Sequence, residues 1–182
     1  MVMLGCGSNE RASRSDPTEA EMESVQLVAG IAWHAEAPLL GRRSTSDIRV
    51  AEYGVRGHSD AELVVFHFVG EAGAEGGTVS ENVDRWLEQF SQPDGRTTLE
   101  VAEIDAREID GRNVTVVRAS GRFSGLRGTG AEDGIEDYAL YGAIVEAPEG
   151  LVFFKLLGPR AGVEAASSAF EDLLDSIRVV HP

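Results

Sequence analysis

The sequence predicts an α+β domain: one antiparallel β-sheet built from hairpins, with helices packed on both of its faces as a three-layer α/β/α sandwich. Three observations lead there. Turn signals at Asp110-Gly111 and Pro148-Glu149-Gly150 join alternating segments, and hairpins force antiparallel neighbours. Two runs, LVVFHFV from Leu63 and LVFFKLL from Leu151, are apolar at both parities, as strands covered on both faces are. Two stretches, 79–90 and 163–177, repeat their apolar residues with the helical period.

Taken in order, Val25 to Trp33 reads as a first extended segment, stopped by Pro38. Residues 40–46, LGRRSTS, read as a polar connection, and Asp47 to Val55 as an alternating strand with Ile48, Val50 and Tyr53 as its apolar residues. After the 63–69 strand, Thr78-Val79-Ser80-Glu81 has the spacing of a capping box. The Thr hydroxyl accepts from the third helical residue while Glu81 reaches back. Val79, Val83, Trp86, Leu87 and Phe90 then share one arc at about 100° per residue, and Pro93-Asp94-Gly95 ends the element.

Leu99 to Ile109 and Arg112 to Phe123 form the first hairpin, Asp137 to Glu146 and Leu151 to Leu157 the second, and Gly158-Pro159 closes it. The last helix, Val163 to Ile177, carries Val163, Ala166, Phe170, Leu173, Leu174 and Ile177 on one side and acidic residues on the other. The core is expected from Val64, Phe66, Phe68, Trp86, Phe90, Phe153, Phe154, Phe170 and Leu173.

With 182 residues, the chain fits one domain, placed at 25–182. Its 16 Lys and Arg stand against 31 Asp and Glu, a net charge of −15 that repels phosphate backbones and anionic headgroups. Nucleic acid is therefore not an expected partner, and a cationic one is favoured. Residues 1–24 read as a truncated signal segment with a lipobox, followed by a disordered polar tether. Met3-Leu4-Gly5-Cys6 has the small-residue-then-cysteine pattern of a bacterial lipidation site, and Cys6 is the sole cysteine, with no intrachain disulfide partner. Membrane association is expected only through a lipid on Cys6, on the periplasmic side of a bacterial envelope. A cytoplasmic protein with a native start at Met1 is the alternative.

VVFHFVGEAG, GGTVSENVDRWLEQF and GAIVEAPEGLVFFKLLGP, together with GIAWHAEAPL and RVAEY, resemble a family of uncharacterised bacterial proteins generally described as lipoproteins. The resemblance runs from about Gly30 to Ile177, centres on GG-x-V-x-x-N-x-x-R-W-x-x-Q-F, and implies a class and a location but no activity. The element order is also similar to the PsbP-like fold, which implies an accessory or binding role.

Candidate chemistry is sparse. The loop from Gly70 to Gly77 lacks the lysine of a phosphate loop and the spacing of a dinucleotide fingerprint, and its two glutamates would repel phosphate. His34, His58, His67 and His181 have no metal-ligand spacing. A site from His34, Glu36 and His67 would need adjacent strands, and no metal or other cofactor is expected. The acids of 126–137 do not alternate as calcium ligands do. No serine sits in a nucleophile elbow, and no catalytic residue is assigned. On a helical projection with Asn82 at zero, Arg85 falls at about −60° and Gln89 at about −20°, along one border of the buried arc. Asn82, Arg85 and Gln89, with His67 and Lys155 as polar residues inside apolar strands, are the candidate ligand or partner contacts. They either tie the helix to the sheet or grip a ligand.

The expected function is a non-catalytic, envelope-associated binding or accessory domain that takes a protein or small ligand. An enzyme, hydrolase-like, with a site assembled from sequence-distant residues, and an intracellular assembly adaptor stand as alternatives.

Overall fold

The computed structural model describes residues 25–44, 46, 48–69, 76–125 and 134–180. Among the described residues, eleven strands and two α-helices follow one another as β1 (Gln26–Val28), β2 (Ile31–Trp33), β3 (Leu39–Arg42), β4 (Arg49–Val55), β5 (His58–Val69), α1 (Val79–Leu87), β6 (Phe90–Ser91), β7 (Glu103–Ile109), β8 (Arg112–Phe123), β9 (Ile135–Ala147), β10 (Gly150–Pro159), α2 (Arg160–Asp175) and β11 (Arg178–Val179). Cys6, His181, most of the glycine-rich loop and the acids Glu132 and Asp133 lie outside the described residues.

The large sheet is antiparallel in the order β3-β4-β5-β10-β9-β8-β6, with β7 also paired to β8. Asp110 and Gly111 take φ of 47° and 74°, the double left-handed geometry of a type I′ turn, so β7 and β8 pair in register from Ile109↔Arg112 outward. A small sheet, β1-β2-β11, packs with α2 on one face of the large one, where Ile31, Trp33, Phe154, Phe170, Leu173 and Ile177 share a core. The other face carries α1, whose Val83, Trp86 and Leu87 meet Val117, Leu140, Ile144 and Phe153. The three-layer sandwich is thus present, and alternation along β10 divides Phe154 from Phe153 between its two cores.

Several elements differ from the sequence expectation. The 25–33 segment is a hairpin, because Ala29 and Gly30 take φ of 55° and 75° and fold β1 back on β2. Residues 39–42 form β3, an edge strand whose pairing with β4, not its own composition, makes it extended. Ile48 is 63% exposed: pairing shifts between Arg49 and Ala51, so the inward set becomes Ala51, Tyr53 and Val55. Helix α1 ends at Leu87, and Phe90 reaches the same cluster from β6. Phe68, expected in the core, is 38% exposed near the end of β5, in edge contact with Phe153.

Candidate functional site

The glycine and polar positions of the GG-x-V-x-x-N-x-x-R-W-x-x-Q-F stretch turn out to hold α1 in place. Gly77 takes a φ of +72°, open to glycine at little steric cost, and leads into Thr78 at the N-cap. The Thr78 hydroxyl accepts from the Glu81 N–H at 3.2 Å, and the Glu81 carboxylate accepts from the Thr78 N–H at 2.8 Å, which closes the capping box. The Thr78 N–H first, and then the Thr78 hydroxyl, which also donates to that carboxylate at 2.9 Å, hold the Glu81 carboxyl below its usual range.

From there a chain of hydrogen bonds runs down the helix edge. Asn82 Nδ2 donates to the carbonyls of Gly76 at 2.7 Å and Thr78 at 2.8 Å. Arg85 Nη1 donates to Asn82 Oδ1 at 3.1 Å, and Gln89 Nε2 to the Arg85 carbonyl at 3.1 Å. Lys155 Nζ then donates to Gln89 Oε1 at 2.8 Å, crossing from helix to sheet. Four of the five residues singled out in the sequence therefore meet in one relay. Burial pushes the Lys155 ammonium down to about 8, since a charge away from water is disfavoured and an amide offers only a dipole in return.

His67 does not join them. It pairs with Val152, whose side chain belongs to the α2-side core, whereas Lys155 pairs with Gly142, on which the Trp86 ring of the α1 side rests. The His67 ring instead lies 3.1 Å from the Glu149 carbonyl, at the β9–β10 turn. His34 faces Glu36 at 3.7 Å, and among the described residues no group of three or more His, Cys, Asp or Glu is placed to hold a metal.

One cavity among the described residues was not foreseen. It is an open cleft of about 420 Å³ between α2 and β8–β9, with Arg118, Ser120, Tyr141, Arg160, Glu164 and Ser167 in its walls. The cleft adjoins an interruption in the sheet edge: β7 pairs with β8 as far as Arg118, β6 takes over at Arg122, and Gln92 Nε2 donates to the Ser120 carbonyl at 2.8 Å in the interval. One border is a charged cluster. Arg118 Nη2 donates to Glu171 Oε1 at 2.7 Å and to the Tyr141 hydroxyl, which itself donates to Glu171. Arg107 Nη2 donates to Glu171 Oε2 at 2.8 Å, and the Arg118 guanidinium lies 4.4 Å above the centre of the Tyr141 ring. On the other border, Arg160 Nε donates to Asp137 at 2.7 Å. One signal pointed here: Arg118 occupies the inward parity set by Val114 and Val116, where an arginine needs a partner.

No protein-family model matches the chain, and no curated protein matches it in sequence. Solved structures do. The solution structure of cyanobacterial PsbP (CyanoP) from Synechocystis sp. PCC 6803 superposes with a TM-score of 0.52 at 13% identity, covering 94% of this chain and 98% of that one. A protein of unknown function from Pseudomonas aeruginosa superposes with a TM-score of 0.45 at 10% identity over 88% of this chain and 98% of that one. The chain has a PsbP-like fold.

Proposed function

We propose that this chain is a non-catalytic accessory or binding domain of a bacterial cell envelope, tethered through a lipid on Cys6, and that it takes its ligand in the cleft beside α2. The observation that carries the binding role is the cleft itself. It is open and about 420 Å³ in volume, with apolar walls from Val101, Ala139 and Val163 and charged borders. The arginines are held by carboxylates on both borders: Arg118 and Arg107 converge on Glu171 on one, and Arg160 meets Asp137 on the other. A recognition surface uses such fixed dipoles to orient what it binds. The PsbP-like fold supports an accessory role by analogy alone, and the lipobox pattern around Cys6 supports the tether. No described helix is long and apolar enough to cross a membrane, so on this reading the lipid is the attachment.

The test uses the full gene product in its bacterial host. Cys6→Ser should move the protein from the membrane to the soluble fraction. Ser167→Trp, which fills the cleft from a half-buried helix position in its wall, should abolish crosslinking to the native ligand or partner while leaving the cooperative thermal transition intact. Unaltered fractionation would remove the tether, and unaltered crosslinking would remove the cleft.

A further inference from the structure

A second concavity, of about 380 Å³, lies on the α1 face of the sheet, lined by Ser59, Asp60, Glu62, Phe123, Tyr138 and Leu157. Register explains its shape. Leu157 pairs with Glu62 on one side and Leu140 on the other, and Pro159 pairs with Tyr138, so β10 is the floor between walls from β5 and β9. Asp60 and Glu62, two residues apart on β5, point to the same face, with Cα atoms about 7 Å from each other. The Tyr138 wall stands two strands away, about 10 Å across. Phe123 stacks on Tyr138 with ring centroids 5.3 Å apart and planes 12° from parallel, which makes that wall a doubled aromatic face.

Among the described residues, the charges lining this groove are unbalanced. Asp60 accepts a hydrogen bond from the neighbouring Ser59 hydroxyl at 3.3 Å, which brings no charge. Glu62 has Arg49 at 3.8 Å, but that guanidinium also lies 3.5 Å from Glu52. The Tyr138 phenol is raised above its ordinary value by burial first and by Asp60 and Glu62 next, so the carboxylates and the ring act on one shared space. Two carboxylates with an aromatic pair and a leucine are a poor cage for a hard metal ion, which wants six or more oxygens. They suit an organic cation that can lie against a ring and point at an acid.

We propose that this groove binds a lysine or arginine side chain of a protein partner. The alkyl stem lies along Leu157, and the cationic head sits between the Asp60 and Glu62 carboxylates and the Tyr138–Phe123 stack. Charge complementarity favours this occupant, because a chain of net charge −15 attracts basic surfaces. The apolar floor favours a head carried on a methylene stem over a bare ion. The proposal stands on residues separate from the cleft and does not depend on where the protein resides.

The test is an NMR titration of the isotope-labelled protein with a blocked Gly-Gly-Arg-Gly-Gly peptide, its Lys counterpart and its Gln counterpart, read at the Tyr138 and Leu157 amides. The Arg and Lys peptides should give saturable shifts, weakened by salt, with the Gln peptide at least about tenfold weaker. Asp60→Asn with Glu62→Gln should reduce the Arg affinity at least about fivefold, as should Tyr138→Leu, while Tyr138→Phe retains it because the ring face makes the contact. Native amide dispersion in the unliganded spectrum of the Leu variant shows that its loss of binding is not a loss of folding. Absence of saturable shifts with the basic peptides, equal binding of the Gln peptide, or full retention of binding in Tyr138→Leu overturns the proposal. Tetramethylammonium binding as tightly as the Arg peptide would assign the groove to small ammonium compounds and overturn it as well.

Discussion

On the α2 side of the large sheet, a 16-residue helix and a three-stranded sheet close over Trp33, Phe154 and Phe170. Charged residues stay at the border, where Glu171 receives two arginines. On the α1 side, a nine-residue helix covers a smaller cluster, and its inner edge is a run of amide and guanidinium hydrogen bonds ending on a lysine. A helix of nine residues is too short to stand by propensity, so its position depends on packing and on its ends. The difference teaches how a small layer is oriented. One aromatic anchor, Trp86, supplies burial, the capping box fixes where the helix starts, and the polar relay fixes its rotation. Each relay bond adds only about 0.5–1.5 kcal/mol net, so the relay specifies geometry more than it stabilises.

The largest expected effect separates the two layers directly. Phe170→Ala, at a fully buried α2 position, should lower unfolding free energy by about 3–5 kcal/mol and reduce hydrogen-exchange protection throughout the large sheet. Trp86→Ala, at 6% exposure, should cost about 3 kcal/mol, with protection lost first in α1 and β6. Equal losses with the same exchange pattern would show the sandwich to be one cooperative core and break the comparison. A smaller effect probes the anchor from beneath: a β-carbon at Gly142 would overlap the Trp86 ring. Gly142→Ala should therefore cost about 1–3 kcal/mol through displacement of that ring, seen in denaturant melts and in tryptophan fluorescence.

Much of this was legible where local chemistry decides structure. Asp110-Gly111 announced its turn because both positions need positive φ, and Thr78 with Glu81 announced the start of α1. The hairpin at Ala29-Gly30 was not legible, because an alanine at φ 55° is held there by tertiary contacts: the Glu149 N–H donates to the Ala29 carbonyl at 3.2 Å. Strand β3 is four residues with a glycine and an arginine, extended through its partner. Helical projection placed Asn82, Arg85 and Gln89 on one border, but only register could show that Lys155 comes to meet them while His67 faces the opposite layer. Of the cleft only the inward parity of Arg118 left a trace in the sequence, since Arg118, Tyr141, Arg160 and Glu171 come from two strands and a helix whose adjacency is purely tertiary.

The smallest effect concerns the end of the relay, and its sign follows from one displaced proton affinity. Lys155 falls from an ordinary value of 10.5 to about 8 in the fold through burial. The charged form is thus penalised in the native state. That penalty is fully present below about 8 and fades as pH rises toward the unfolded value. Stability should therefore increase between pH 7 and pH 9, by about 1 kcal/mol from this group. Lys155→Met should flatten that rise. At pH 7 it should be near neutral or stabilising by about 1 kcal/mol, because removing a buried charge outweighs the Gln89 carbonyl left without its donor. Urea melts of both proteins at the two pH values measure the slopes, and side-chain NMR of Lys155 measures its titration directly. A wild-type slope preserved in the methionine variant, or a lysine that titrates near 10, would mean that water reaches this amine and that the α1 layer is looser at its edge than the relay implies.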